Sequence, residues 1–193
     1  MARPREFDEQ EVLQKATEVF WKKGFHGSSM QDLVEAMDIN RASLYDTFGN
    51  KQHLYLSCLK SYHDINQHEL AGVVEGSGSA RDRLRGLFIL CIERFVDDPD
   101  RKGCFIANAT LERVPGDPAT QQLVCKTVQE TEQLFRVIVE AGQQTGEINP
   151  ALSPKELAQF WTTMLAGLRV VVKINPDRAA LEDLMRVAMR VLD

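Results

Sequence analysis

The stretch that most constrains this chain runs from Ser28 to Lys51 and reads SSMQDLVEAMDINRASLYDTFGNK. Its first half predicts a short helix over Ser29–Met37, because apolar residues recur there at intervals of three and four. Ser28 precedes this helix and is predicted to be its N-cap, since a serine hydroxyl can accept a hydrogen bond from an unpaired backbone N–H. The apolar positions of this helix are Met30, Leu33, Val34 and Met37.

A second short helix is predicted over Arg41–Phe48. Asn40 can cap its start, and Gly49 can end it in the left-handed conformation that glycine adopts easily. Ile39 is predicted to be the buried residue of the turn between the two helices. Helices this short are marginal in water, so both must be held in place by packing. The residues expected on the buried side are Leu44 and Phe48.

The outer side of the second helix carries small and polar residues. Two short helices at an angle, the second with such a surface, have the layout of a helix-turn-helix, whose second helix lies in the DNA major groove. Arg41 can pair with guanine or with a phosphate, and Ala42 can approach a thymine methyl group. A solvated polar face is the alternative, but it does not explain the small residues behind the Asn40 cap.

A longer pattern surrounds this segment and reads F-x-x-x-G-F-H-G-S-S-M-x-D-L-V-E-A-M-D-I-N-R-A-S-L-Y-x-x-F-G-N-K-x-x-L. In order and spacing it resembles the N-terminal domain of the TetR family of bacterial transcriptional regulators, from Arg5 to about Leu56. The resemblance implies that the Tyr45 hydroxyl meets the DNA backbone. Thr47 departs from the family, in which an aromatic residue or histidine is common. The predicted DNA contacts are Ser28, Ser29, Arg41, Ala42, Ser43, Tyr45, Thr47 and Lys51.

The charge of the chain is unfavourable for a DNA-binding protein. The formal net charge is −5, and residues 1–51 hold seven basic and nine acidic residues. Binding is therefore expected to depend on a few well-placed cations, on backbone N–H groups and on two copies acting together. Arg3 and Arg5 lie in a terminal arm that either stays solvated or contacts phosphates or the minor groove.

The predicted fold is all-α, with about nine helices. A first helix, Asp8–Lys23, ends at Gly24 and completes a three-helix DNA-binding domain over residues 1–50. Residues 51–193 are predicted to form a helical ligand-binding and dimerisation domain. The other predicted features are a fourth helix over Lys51–Ala71 with Ile65 on its apolar side, a loop over Gly72–Gly78, a fifth helix behind Ser79, a sixth over Cys104–Leu111, and a seventh over Ala119–Gln144 that buries Val128.

The last two predicted helices have strong apolar patterns. One begins behind Ser153 and Pro154, a cap followed by proline at the first helical position, and the other follows Asn175 and Pro176. Their apolar sides can pack in the domain core or against a second copy. The family resemblance implies a four-helix bundle across a two-fold axis. We therefore expect a homodimer through these helices, as reading two half-sites requires.

Composition is that of an ordinary globular protein, with 44% hydrophobic and 26% charged residues. No run of eighteen or more apolar residues and no apolar leader is present, so we expect a cytoplasmic protein without a membrane segment. The four cysteines show no CxxC spacing and are expected to be thiols. No histidine pair at metal spacing, glycine-rich phosphate loop or G-x-S-x-G motif is present, so neither an enzyme nor a cofactor is expected.

The helices after residue 51 have wider apolar sides than a surface helix needs. The resemblance implies an effector pocket among them, and such a lining suits a small apolar or aromatic effector. Ordinary core packing is the alternative for each residue taken alone. The predicted pocket residues are Phe88, Cys91, Ile92, Phe95, Phe105, Trp161, Met164 and Leu168.

Cys104 follows Arg101, Lys102 and Gly103 at the predicted start of a short helix. Nearby cations and the helix dipole both favour the thiolate, which is the reactive form. The stretch Gly-Cys-Phe-Ile-Ala-Asn also resembles one in family members that respond to electrophiles or oxidants. Cys104 is therefore a candidate sensor thiol, and the alternative is a small buried apolar residue.

Together these features predict a ligand-responsive regulator that binds a palindromic operator as a dimer. It is expected to act as a repressor that a small-molecule effector or an electrophile releases. Release would move the two DNA-binding heads out of register with successive major grooves, which lie about 34 Å apart. The alternative is a small-molecule-binding or thiol-redox-sensing protein without high-affinity DNA binding, which the negative charge of the head favours.

Overall fold

The computed structural model describes residues 7–193, and the arm that contains Arg3 and Arg5 lies outside the described residues. Within that range the chain forms nine α-helices and a terminal 3-10 helix, which confirms the all-α prediction. The elements are α1 (Glu9–Gly27), α2 (Met30–Met37), α3 (Arg41–Phe48), α4 (Lys51–Glu75), α5 (Ala80–Val96), α6 (Phe105–Arg113), α7 (Pro118–Gln144), α8 (Pro154–Ile174), α9 (Arg178–Ala188) and the 3-10 helix Met189–Leu192.

Helix α2 begins one residue later than predicted, and a different serine caps it. The Ser29 hydroxyl accepts a hydrogen bond from the Asp32 backbone N–H at 3.0 Å, and the Asp32 carboxylate accepts one from the Ser29 N–H at 2.7 Å. This reciprocal capping box fixes the helix start. Ser28 instead donates its hydroxyl to the Phe25 carbonyl at 3.0 Å. The predicted N-cap role of Ser28 is therefore wrong, because Ser29 has the reciprocal partner.

Helices α1, α2 and α3 all contribute buried side chains to the hydrophobic core, which holds the two short helices in place. Phe20, Leu33 and Leu44 are completely buried in it. Asp38 takes the left-handed conformation, with φ 54°, and turns the chain between α2 and α3. The predicted cap of α3 is confirmed, because the Asn40 side chain accepts a hydrogen bond from the Ser43 N–H at 2.8 Å.

Helix α4 is longer than predicted. It continues through Gly72 to Glu75, so the loop begins only at Gly76 and the prediction of a loop from Gly72 is wrong. Leu70 and Val74 are buried and hold the last turns of the helix against the core. Packing therefore outweighs the low helix propensity of one glycine.

Two apolar residues predicted to be buried are exposed. Ile65 on α4 is 55% exposed, and Val128 on α7 is 45% exposed. Both predictions are wrong because the inward sides of these helices include polar residues that the apolar pattern does not reveal. On α7 the buried positions next to Val128 belong to Thr127 and Thr131, which donate their hydroxyls to carbonyls of their own helix at 2.9 and 2.8 Å.

The core of the larger helical region is built around Trp161 of α8. Its ring centroid lies 5.2 Å from that of Phe88 on α5 and 6.5 Å from that of Phe135 on α7, and all three side chains are buried. Among the described residues, α8 alone is long and apolar enough to cross a membrane by length and composition. The core helix of a soluble protein meets the same criterion, and one side of α8 is buried here.

Candidate functional site

Helix α3 presents a small and polar surface on a fixed support. Leu44 is completely buried beneath it, and Asn40 caps its start. On the opposite side Arg41 and Ala42 are exposed, and Tyr45 is 43% exposed. Within residues 7–193, no other residue bonds to the side chain of Arg41 or Tyr45. Both side chains are therefore available to a partner in front of α3.

The serines and the threonine predicted to contact DNA differ in their availability. Ser43 and Thr47 are half-buried on α3. Ser29 is exposed at the start of α2, but its hydroxyl is engaged with the Asp32 carboxylate at 2.8 Å. Ser28 is only 3% exposed, so its side chain is not part of the outer surface.

Lys51, also predicted to contact phosphate, is turned inward. Its Nζ donates a hydrogen bond to the Ser28 carbonyl and lies 4.5 Å from the centroid of the Phe25 ring. Burial lowers the pKa of the Lys51 ammonium group below its ordinary value. The side chain braces the start of α4 against the end of α1, and sequence reasoning had no signal for this direction.

The end of α6 is hydrogen-bonded to the end of α1. The Glu112 carboxylate accepts hydrogen bonds from the backbone N–H groups of Phe25 and His26, at 2.9 and 2.8 Å. Gly24 makes this possible, because it takes φ 74° and a side-chain carbon there would lie 2.9 Å from the carboxylate oxygens. The predicted end of α1 at Gly24 is therefore a break in the helical geometry, after which the helix resumes to Gly27.

Arg113, next along α6, joins the same contact to α4 and α7. Its guanidinium lies 3.9 Å from the centroid of the Phe25 ring and donates to the side chains of Gln52 and Asp117, at 2.6 and 2.8 Å. Burial alone would raise the pKa of Asp117, but hydrogen bonds from Thr120, Gln52 and Arg113 outweigh it and hold that pKa well below its ordinary value. The charge of Asp117 is thus fixed where α4, α6 and α7 meet.

The start of α6 is also fixed to the head. The ring centroid of Phe105 lies 5.6 Å from that of Tyr55 and 6.3 Å from that of Trp21. The Trp21 Nε1 donates a hydrogen bond to the Gly103 carbonyl at 2.9 Å. Both ends of α6 therefore contact α1.

A cavity of about 210 Å³ lies between α6, α7 and α8. Its walls are mainly apolar, with threonines from all three helices, and Arg169 is the one charged residue among the described residues that line it. Leu111, 74% exposed, and Val128, 45% exposed, belong to its rim. Helix α6 is therefore both a wall of this cavity and one of the elements that contact α1.

None of the predicted pocket residues lines this cavity. Phe105 belongs to the aromatic contacts between α6 and the head, and the others lie in or against the core behind the cavity. The sequence did carry two unused signals: an arginine inside the apolar stripe of α8, and the threonines at positions 127 and 131. The remaining predicted pocket residues, all buried except the partly buried Met164, are Phe88, Cys91, Ile92, Phe95, Trp161, Met164 and Leu168.

Cys104 occupies the N-cap position of α6, close to its predicted place, and is 1% exposed. Lys102, one of the two nearby cations expected beside it, instead donates to the Glu18 carboxylate at 2.9 Å and lies over the Trp21 ring. The cation that acts on the Cys104 thiol is Arg169 of α8. The thiol therefore sits behind the cavity, out of contact with solvent.

The described part of the chain contains no group of three or more His, Cys, Asp or Glu residues that could hold a metal ion. Its buried histidine, His63, lies 3.0 Å from the Thr127 hydroxyl through Nδ1 and 2.9 Å from the Glu130 carboxylate through Nε2. Both ring nitrogens of His63 thus have partners inside the protein, so we assign this histidine a structural role.

Apolar side chains are exposed on the outer sides of α8 and α9. Val171 and Ile174 on α8 are 44% and 76% exposed, and Leu184 and Val187 on α9 are 38% and 62% exposed. Gly167, on the same side of α8, has no atom within 4 Å of the place that a side-chain carbon would take. Exposed apolar side chains on both helices make this side of the chain a candidate interaction surface. We call it the α8/α9 face.

The capped α2–α3 unit, with its exposed second helix on a larger helical region, defines a helix-turn-helix DNA-binding regulator. A family model described as bacterial regulatory proteins, tetR family, matches residues 12–58. A second model, the tetracyclin repressor-like C-terminal domain, matches residues 80–188. The chain belongs to the TetR family of transcriptional regulators, as its resemblance predicted.

Relatives match along nearly the whole chain. The uncharacterized HTH-type transcriptional regulator YezE of Bacillus subtilis (strain 168) is 32% identical, with 100% of both chains covered. The HTH-type transcriptional repressor DhaR of Mycobacterium sp. (strain GP1) is 27% identical over 95% of this chain and 91% of that protein. A cysteine mutant of the TetR family regulator CifR, solved with 26-base-pair double-strand operator DNA, superposes with a TM-score of 0.88 at 32% identity, covering 100% of both chains.

Proposed function

We propose that this chain is a cytoplasmic repressor that occupies a palindromic operator as a dimer and leaves it when a small effector binds. The observation that carries the proposal is the α3 surface, where Arg41, Ala42 and Tyr45 are exposed on a helix that is capped and buried on its other side. Helix α3 lies in the major groove, and Arg41 pairs with a guanine edge or a phosphate. DhaR is named a repressor and CifR was solved on operator DNA, which supports the same role for this chain.

The roles of the other predicted DNA-contacting residues follow from where their side chains lie. Ser43 and Thr47 meet DNA only along the half-buried edge of α3, so their hydroxyls contact the backbone. Ser28, Ser29 and Lys51 act through the helix starts near them, where backbone N–H groups favour phosphate and leave the side chains to their internal partners. The DNA-binding domain corresponds to residues 1–50, and residues 51–193 bind the effector and the second copy.

The dimer forms through the α8/α9 face. Burial of exposed apolar surface drives association, and here the exposed apolar residues belong to two consecutive helices. Two-fold packing of this face against itself makes a four-helix bundle and fixes the separation of the two heads. This separation selects operators whose half-sites are one helical turn apart.

Release passes through α6. The helix lines the cavity through Ile106 and Thr110 and holds the head through Glu112 and Arg113. An effector that fills the cavity moves α6, and the hydrogen bonds from Phe25 and His26 transmit the movement to α1. The heads then lose their spacing. This is a two-state coupling through a packed element, and its size is set by the effector's preference for one arrangement.

Fluorescence anisotropy with labelled DNA from the flanks of the protein's own gene tests the proposal. We expect saturable binding by two subunits per fragment, with affinity at least about 1,000-fold above that for random DNA of equal length. The salt dependence should be shallow for a DNA-binding protein, because the head offers few cations for phosphates. Equal affinity for both fragments would contradict the proposal and favour the alternative of a small-molecule-binding or thiol-sensing protein.

A second route of release, favoured by the position of Cys104, is reaction of its thiol with an electrophile. The thiol lies at the N-cap of α6 and interacts with the Arg169 side chain of α8, and its burial slows access by a reagent. With a maleimide, the sulfur bonds to one alkene carbon and the thiol proton ends on the other, so nothing leaves. The added group cannot fit beside α6 without moving it.

Mild treatment with N-ethylmaleimide should therefore add mass to Cys104 and abolish operator binding, and Cys104→Ser should remain bound to DNA after the same treatment. Cys125→Ser is the matched control, because Cys125 is the exposed cysteine of the described chain and its loss should not protect DNA binding. Peptide mass spectrometry and anisotropy measure the two effects. Loss of operator binding while Cys104 stays unmodified would end the sensor assignment.

A further inference from the structure

Arg169 places a positive charge in the protein interior without an opposite charge. The residue is 9% exposed, and its Nε has no hydrogen-bond partner. Within the described residues, no carboxylate forms an ion pair with its guanidinium. A buried charge without a partner is costly, and arginine cannot lose its proton to avoid the cost. A bound anion from outside the described chain would lower the cost of burying this charge.

In the described part of the chain, the side chains that interact electrostatically with the Arg169 guanidinium include no carboxylate. They are the thiols of Cys91 and Cys104 and the hydroxyl of Tyr62. Burial raises the pKa of the Cys91 thiol to about 11, and burial also raises the pKa of Tyr62 well above its ordinary value. Both groups are therefore neutral at physiological pH, and the Tyr62 hydroxyl itself has no hydrogen-bond partner among the described residues.

The cavity between α6, α7 and α8 gives access to this charge. Its threonine hydroxyls donate to carbonyls of their own helices, as Thr110 does to Ile106 and Thr162 does to Ala158, at 2.8 Å each. Arg169 is thus the donor that remains for a ligand. A volume of about 210 Å³ is below the range for drug-sized ligands and suits a small molecule.

We propose that the effector of this regulator is a small carboxylate with an apolar body, held by Arg169 at the inner end of the cavity and by apolar side chains such as Ile106, Val124 and Leu165 along its length. This inference rests on the proposed function and adds the chemical class of the effector. The carboxylate forms the charge-assisted hydrogen bonds that arginine favours, and the apolar body leaves water.

Calorimetric titration of the full-length protein without DNA tests the inference. The probes are benzoate and straight-chain carboxylates from acetate to octanoate, each paired with its uncharged amide. We expect at least one acid to bind once per subunit, at least about tenfold tighter than its amide. In Arg169→Met the acid should lose this advantage, and Arg169→Lys, which keeps a charge, should retain part of it.

Arg83→Met is the matched control, because Arg83 lies on α5 outside the cavity and donates to the Val74 carbonyl. It should bind the acid as the unchanged protein does. The inference is overturned if no acid binds at about 10 mM, where a millimolar ligand would nearly saturate the site, or if acid and amide bind equally to the unchanged protein. Because DNA is absent from this experiment, its outcome does not depend on whether the protein binds an operator. Specific DNA binding without acid binding would refute only the proposed effector class.

Discussion

Val187→Glu should convert the dimer into monomers and weaken operator binding by at least about 100-fold. Val187 is 62% exposed at the α8/α9 face, so the added carboxylate would be buried, unpaired, against a second copy. A lone subunit binds one half-site and loses the effective concentration, of millimolar order, that a linked second head provides. Light scattering after size exclusion measures the mass, and anisotropy measures the affinity.

Val137→Glu is the matched control for this change. Val137 is also an exposed valine, at 42%, but it lies on α7 outside the α8/α9 face. It should remain dimeric and bind the operator as before, because surface substitutions change the free energy of unfolding by only about 0.5 kcal/mol. Circular dichroism should show the same helix content in both variants. A Val187→Glu protein that stays dimeric would place the dimer interface elsewhere.

Arg41→Ala should weaken operator binding by between about 30-fold and 25,000-fold. A bidentate arginine–guanine contact is worth about 1–3 kcal/mol, and a dimer makes it twice, which gives about 2–6 kcal/mol in total. The side chain of Arg41 has no partner among the described residues, so its removal should leave the head folded. Anisotropy on the operator and on fragments with substituted guanines measures the change.

The pattern of losses separates the two roles that Arg41 can have. A base contact relaxes specificity at one operator position, whereas a phosphate contact weakens all sequences alike and lowers the salt slope. Arg136→Ala, which removes an exposed arginine paired with Glu140 on α7, is the control and should bind as before. Unchanged affinity after Arg41→Ala would contradict the placement of α3 in the major groove.

The helix-turn-helix could be predicted from sequence because its signals are local. Asn40 is followed three residues later by the N–H that it caps, and the buried Leu44 lies in the same short segment. The error at Ser28 shows the limit of such signals. Two adjacent serines are equally good caps in isolation, and only the reciprocal bond from Asp32 decides between them.

The cavity could not be predicted, because its walls come from three helices that are distant in sequence. Ile106, Thr127 and Arg169 meet there only after folding. An apolar side chain such as Trp161 has the same pattern in sequence whether it fills a core or lines a pocket. The inward direction of the Lys51 side chain could not be predicted either, since it depends on a hydrogen bond to the Ser28 carbonyl, 23 residues earlier.

Two consecutive residues of α8 face two different environments. Arg169 is buried beside the cavity, and Val170 both lines the cavity and is 40% exposed next to the α8/α9 face. A molecule held by the first residue would therefore lie one side chain away from the neighbouring protomer of the proposed dimer. Under two-fold symmetry, a shift of α8 in either protomer would be imposed on both. The transcriptional response to effector concentration would then be steeper than a one-site binding curve, because the two protomers would respond together.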